Sequence, residues 1–226
     1  MSKDKEKYFF YVKGKVAMVR RISLRGAVAA LKKNDPILSR IIEQVGRFTF
    51  SLQGPYFLSL AKAIIWQQIS GKAARAIFNR LLELYDGRGL APEDILNTPD
   101  EQLRSAGLSR QKTVYLKDLA LKFKDGTLSL EKWRQMSDEE IIQNLIQVKG
   151  IGRWTAEMFL IFSLGRLDVL PVDDLGLRKA IQKAYQLEEL PRAHVIRNLA
   201  EPWRPYRTVA TLYLWKSLEG PEGGQI

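Results

Sequence analysis

The chain has 226 residues, 46% hydrophobic and 10% aromatic, a composition that supports a sizeable buried core and excludes intrinsic disorder. It carries no cysteine and a single histidine, His194, so disulfides, thiol catalysis, iron–sulfur clusters, cysteine or histidine metal clusters and a serine–histidine triad fall away. The net charge of +11, with a pI near 9.8, points to a polyanionic partner, either nucleic acid or an anionic membrane surface.

Residues 1–50 hold 12 Lys/Arg against 4 Asp/Glu, +8 of the total, so the remaining body is nearly balanced and any basic surface there is made by placement. The start, "MSKDKEK", reads as a solvated arm. "YFFYVKGKVAMVRRI" alternates around Lys13-Gly14 as a β-hairpin would. "GAVAALKKND" and "DPILSRIIEQV" follow as short helices, the second with Asp35 as N-cap and Pro36 at its first position. "GRFTFSLQGPY" reads as extended. After it come nine helical runs, from "FLSLAKAIIWQQI" to "YRTVATLYLWKSLEG", several opening on Ser, Thr or Asp and closing at Gly. These elements predict a mostly α fold of roughly ten short helices, two helical subdomains around a cleft, with a short β segment at the N-terminus. No stretch reaches eighteen apolar residues, no helix pairs a basic with a strongly apolar face, and no signal peptide is visible. The expected setting is therefore cytoplasmic, away from membranes.

The stretch "IIQNLIQV-KGIG-RWTAEMFLIF" is an apolar helix, a four-residue turn and a second apolar helix. Gly150 and Gly152 permit a tight reversal and leave the turn without bulky side chains. Amide groups at the start of the second helix are then open to an external anion, which the helix dipole favours, and Lys149 and Arg153 flank the turn. A nucleic-acid phosphate fits this arrangement, which would fix position without reading sequence. An ordinary αα-turn with glycines for geometry is the alternative. Twenty residues after Trp154, Asp174 follows Asp173 in "LPVDDLGLRKAI". An Asp before an amphipathic run is by itself a normal N-cap, and two adjacent carboxylates are a poor metal site because their side chains point apart.

"VKGIGRWTA" followed by "LPVDDLGLRKA" resembles the helix-hairpin-helix DNA glycosylases with a Gly/Pro-rich loop and catalytic Asp, in particular the 3-methyladenine DNA glycosylase II branch of AlkA/Mag type. The resemblance runs from about Asp35 to Glu219 and includes "IIWQQISGKAA" and "EPWRPYRTVATLYLWKSLEG". It implies a basic N-terminal segment over 1–50 and a glycosylase body over 51–226, with the hairpin at 141–164 and the catalytic loop at 168–176. It also implies a catalytic role for Asp174, supported or capped by Asp173, and a DNA wedge at Gln68 with Gln67 turned inward. Phosphate contacts fall at Lys149, Gly150, Ile151, Gly152, Arg153 and Thr155. A base pocket is expected from Trp154, Met158, Trp215, Lys216, Trp66 and Gln67, with Met158 and Lys216 standing where some relatives carry aromatics. Trp133 and Trp203 read as packing residues.

Endonuclease III-like relatives place a Schiff-base lysine where Trp154 stands, so the resemblance implies a monofunctional enzyme. No cofactor or catalytic metal is implied. Family members bind a monovalent cation through hairpin carbonyls, here those of Ile146, Lys149 and Ile151. The expected partner is double-stranded DNA with alkylated bases, bound by a monomer on the nucleoid. The expected reaction is release of 3-methyladenine and related bases, 7-methylguanine among them, after base flipping. Alternatives left open are a helix-hairpin-helix glycosylase for deaminated or etheno bases and a non-catalytic DNA-damage-binding protein.

Overall fold

The computed structural model describes residues 9–12, 15–18, 21–87 and 90–219. The arm read at residues 1–7 and the hairpin tip at Lys13-Gly14 lie outside them. Strands β1 (Phe9–Val12) and β2 (Lys15–Met18) pair antiparallel, with Val12 opposite Lys15. Strand β3 (Arg21–Ile22) leads into helices α1 (Arg25–Asn34) and α2 (Pro36–Val45), and β4 (Phe50–Ser51) pairs back onto β3. Asp35 caps α2 as its sequence predicts, accepting from the Ile37 and Leu38 amides at 2.9 and 3.0 Å.

Helices α3 (Tyr56–Trp66), α4 (Gly71–Glu83), α5 (Pro92–Asn97), α6 (Asp100–Ser105), α7 (Arg110–Lys124), α8 (Leu130–Trp133), α9 (Asp138–Leu145) and α10 (Arg153–Phe159) follow. A π-helical turn, Leu160–Leu164, continues α10. Helices α11 (Leu175–Ala184), α12 (Ala193–Leu199), a 3-10 turn (Glu201–Trp203) and α13 (Arg207–Leu218) complete the chain. Two of these, α5 and α8, have no counterpart among the helical runs read from sequence. They are too short to show apolar periodicity, although Pro92 and the acidic first turn of α5 are ordinary start signals.

The helices form two compact units, one comprising residues 52–163 with the N-terminal hairpin, the other residues 21–51 and 164–219. Residues 21–50, read from sequence as part of the basic N-terminal segment, thus belong to the second unit. In the first, Leu60, Ile64, Leu81, Leu116 and Leu145 are fully buried. Trp133 centres an aromatic cluster with Tyr56, Phe123 and Phe159, its ring 5.3 Å from Phe159, and donates its indole N–H to Asn144 at 2.8 Å. In the second unit Leu31, Leu38, Leu177, Ile181 and Ala210 are buried, and Asp35 accepts from the Tyr185 hydroxyl and, at 2.7 Å, from the buried Trp203 indole. Burial and the Asp35 charge push the Tyr185 hydroxyl pKa well up, so it remains a donor. Among the described residues no helix is long and apolar enough to cross a membrane.

Candidate active site

In the first unit the hairpin joins α9 to α10. Ser137 and Glu140 form a capping box at the start of α9. The turn is seated by buried Val148 and Ile151. Gly150 takes φ +83°, and a Cβ there would lie 2.1 Å from the Tyr115 ring, so glycine is required on two counts. Gly152 differs from expectation: its φ of −93° is open to any residue. What its missing side chain does is leave the first turn of α10 uncovered, with no side-chain cap and nothing within 4 Å of the Cβ position.

The flanking cations are placed differently. Lys149 has an exposed side chain, while its amide is taken by Asp118 Oδ2 at 2.9 Å. Arg153 forks onto Glu139 at 2.9 and 2.6 Å and reaches Glu157 at 3.2 Å, joining the two hairpin helices. The Arg153 guanidinium holds the Glu139 carboxyl down at about 2. Arg153 therefore acts as a clamp within the hairpin, and Lys149 is the flanking residue with its charge turned to solvent. The carbonyls of Val148 and Gly150 are occupied by the Ile151 amide and by Gln67 Nε2, at 3.0 and 2.8 Å. Those of Ile146, Lys149 and Ile151 accept no hydrogen bond among the described residues. No group of three or more His, Asp or Glu side chains gathers as a metal site among the described residues.

Before α4, the chain leaves α3 through Gln67 and turns at Gln68, whose φ of +57° is rare for a residue other than glycine. Such outliers cluster at functional sites. Gln68 is exposed, and Gln67 is half-buried with its Nε2 on the Gly150 carbonyl. Trp66, Gln67, Gln68, Gly150, Gly152, Trp154 and Thr155 line one open cavity of about 850 Å³, so the structure brings most of the residues chosen from this unit together. Trp154 keeps an exposed indole at its edge; Met158 is half-buried and outside the lining.

In the second unit Asp174 caps α11, its Oδ1 accepting from the Leu177 amide at 2.6 Å and from the Trp215 indole N–H at 2.8 Å. Gly176 lets Trp215 come this close: a Cβ there would meet Asp174 Oδ1 at 3.1 Å and the indole at 3.3 Å. The loop before Asp174 is held by α13. Arg207 forks onto Asp168 at 2.8 and 2.9 Å, and the buried Thr208 hydroxyl bonds the Arg166 carbonyl and the Val169 amide.

A fixed carboxylate at the start of α11, and a glycine hairpin ending on an uncapped helix, both lie within the stretch that a family model matches. The model of the HhH-GPD superfamily base excision DNA repair proteins matches residues 61–205. The chain belongs to that superfamily. DNA-3-methyladenine glycosylase 1 of Schizosaccharomyces pombe is 37% identical over 201 residues, 86% of this chain and 88% of its own length. Among solved structures, a DNA-3-methyladenine glycosidase from Bacillus halodurans aligns with a TM-score of 0.82 at 37% identity, over 88% of this chain and 92% of the other. The S. pombe 3-methyladenine DNA glycosylase Mag1 in complex with abasic DNA aligns with a TM-score of 0.73, also at 37% identity, over 84% and 95%.

Three side chains chosen from sequence have surroundings in the structure that differ from those expected. Asp173 does not cap or brace its neighbour: it is exposed and makes no hydrogen bond among the described residues, because the position directly before α11 is that of Asp174. Trp215, expected as a stacking platform, gives its indole N–H to Asp174. Lys216 lies 5.2 Å over the Phe48 ring and 3.7 Å from Glu219. Sequence reasoning missed Lys112, Tyr115, Asp118, Arg207 and Thr208, which hold the Gln68 turn, the hairpin turn and the loop before Asp174. Their signal was only a helical spacing of three, or adjacency at the start of a helix.

Proposed function

We propose that the chain is a monofunctional DNA glycosylase that hydrolyses the N-glycosidic bond of alkylated bases in duplex DNA, 3-methyladenine and related purines such as 7-methylguanine, with Asp174 as catalytic carboxylate. The observation that carries this is Asp174 itself, held by two donors on Oδ1 in a chain of this superfamily. The names of the relatives support the substrate class.

Alkylation at N3 or N7 makes the base cationic. The C1′–N bond then breaks with its electron pair passing to the base, which leaves neutral, while the sugar becomes oxocarbenium-like. Asp174 stabilises that positive charge electrostatically, a contribution that is often the largest in an active site. A water adds to C1′ and loses a proton, for which the carboxylate is the acceptor at hand. The leaving base needs no metal or organic cofactor. Trp154 offers an exposed indole face to an electron-poor ring, and its place in the hairpin removes the amine a lyase would need. Gln68 is the wedge that fills the gap left by the extruded nucleotide. The uncapped start of α10 and the Lys149 charge take a phosphate, and a monovalent cation on the Ile146, Lys149 and Ile151 carbonyls would add positive charge there.

The test is incubation of the wild-type protein with methylated DNA, chromatography of released bases and borohydride treatment of the mixture. Free 3-methyladenine without a trapped protein–DNA adduct is expected. DNA that retains all its methylated bases would overturn the proposal, and a stable adduct would overturn the monofunctional part.

A further inference from the structure

The turn that carries Gln68 is not held by its own side chains. Gln67 ends α3 in an extended conformation (φ −59°, ψ 132°), and Gln68 then enters the left-handed region. Both features break the α3 ladder and leave carbonyls at its C-terminus without a helical partner. Lys112 supplies one: its Nζ donates to the Ile65 and Gln67 carbonyls, both at 2.7 Å. A cation at a helix C-terminus is also favoured by the helix dipole. Partly buried against these carbonyls, Lys112 meets no carboxylate among the described residues, and burial lowers its pKa.

Lys112 is the first of three residues on one face of α7. At i+3, the Tyr115 ring fills the space where a side chain at Gly150 would be. At i+6, Asp118 takes the Lys149 amide. Gln67 Nε2 donates to the Gly150 carbonyl and links the two turns directly. We propose that Lys112 is a positioning residue for DNA engagement, holding the Gln68 turn at the register that the Lys112–Tyr115–Asp118 face of α7 sets against the hairpin turn. The inference rests on the reading of Gln68 as the wedge.

The test uses a duplex with a tetrahydrofuran abasic analogue opposite 2-aminopurine, whose fluorescence at saturating protein responds to what fills the gap. Wild type should give a clear change and Gln68→Ala should lose most of it. Lys112→Met should lose a comparable share, at least about half, and Lys112→Arg, which retains donors for both carbonyls, should keep most of the amplitude. Placed on Gln68→Ala, Lys112→Met should add little, because both act through one turn. Full amplitude in Lys112→Met, or a loss that Arg does not rescue, would overturn the inference, as would a full amplitude in Gln68→Ala. Should Lys112→Met melt below the assay temperature, Lys112→Gln, which lacks the reach, carries the same expectations. Base release is not needed for this readout, so it separates failure of the positioning role from failure of the glycosylase reading.

Discussion

Helix α7 holds the Gln68 and hairpin turns by their main chain alone, whereas α13 holds the Asp174 loop by its main chain, through Thr208, and by its carboxylates as well. Lys112 and Asp118 meet carbonyls and an amide, and Tyr115 meets a bare glycine. In the other unit Arg207 and Trp215 also grip the carboxylates of Asp168 and Asp174 themselves. Gripping the main chain fixes where a turn sits and leaves its side chain available, which suits a residue that enters a base stack. Gripping the carboxylate immobilises the charge, which suits a group that must be oriented before positive charge develops.

The comparison is broken most severely at Gly150. Gly150→Ala brings a Cβ into the Tyr115 ring at a backbone angle that disfavours side chains, so a loss of about 2–4 kcal/mol in stability is expected by denaturant titration. A loss near zero would show that the hairpin turn is loosely held. In the other unit, Arg207→Met removes a two-pronged, partly buried bond to Asp168 and should cost about 2–3 kcal/mol by the same measurement, softened by the remaining Arg204 contact at 3.1 Å. Trp215→Phe deletes only the indole donor. Single-turnover base release should fall about tenfold with lesion affinity little changed, since a lost hydrogen bond to a charged group is worth about 1.5 kcal/mol. Unchanged release would make Trp215 a packing residue alone.

The smallest effect belongs to the Arg153–Glu139 clamp. The Glu139 carboxyl is held at about 2, below its ordinary 4.5, so the pair stabilises the protein above pH 4.5 and its contribution fades as pH falls towards 2. Both groups are largely exposed, which limits the effect to under about 1 kcal/mol. Glu139→Gln should therefore be slightly less stable than wild type at pH 7 and equal to it near pH 2. A gap that persists at pH 2 would assign the effect to packing.

What the sequence made legible is local. Asp35-Pro36 announced α2, the KGIG turn announced the hairpin, and Asp174 stood directly before an amphipathic run. What it concealed depends on residues that meet only after folding. Arg153 finds Glu139 fourteen positions back across the turn, Trp215 reaches Asp174 from forty-one positions away, and Lys112 meets Gln67 across forty-five. No periodicity signals such pairings. A basic residue beside a glycine turn accordingly read as a phosphate contact, and a tryptophan near the site as a stacking platform.

The central claim is that the Asp174 charge drives base release, and Asp174→Asn measures it most directly. Asn keeps the shape and, as a good N-cap, can still accept from the Leu177 amide, so melting should be unchanged. Single-turnover release from methylated DNA should fall by roughly 10²–10³-fold or more, the scale of losing a major preorganised electrostatic group. Affinity for the same DNA should hold or rise, because a negative charge near phosphates is gone. Near-normal release from a folded Asp174→Asn protein would contradict the account.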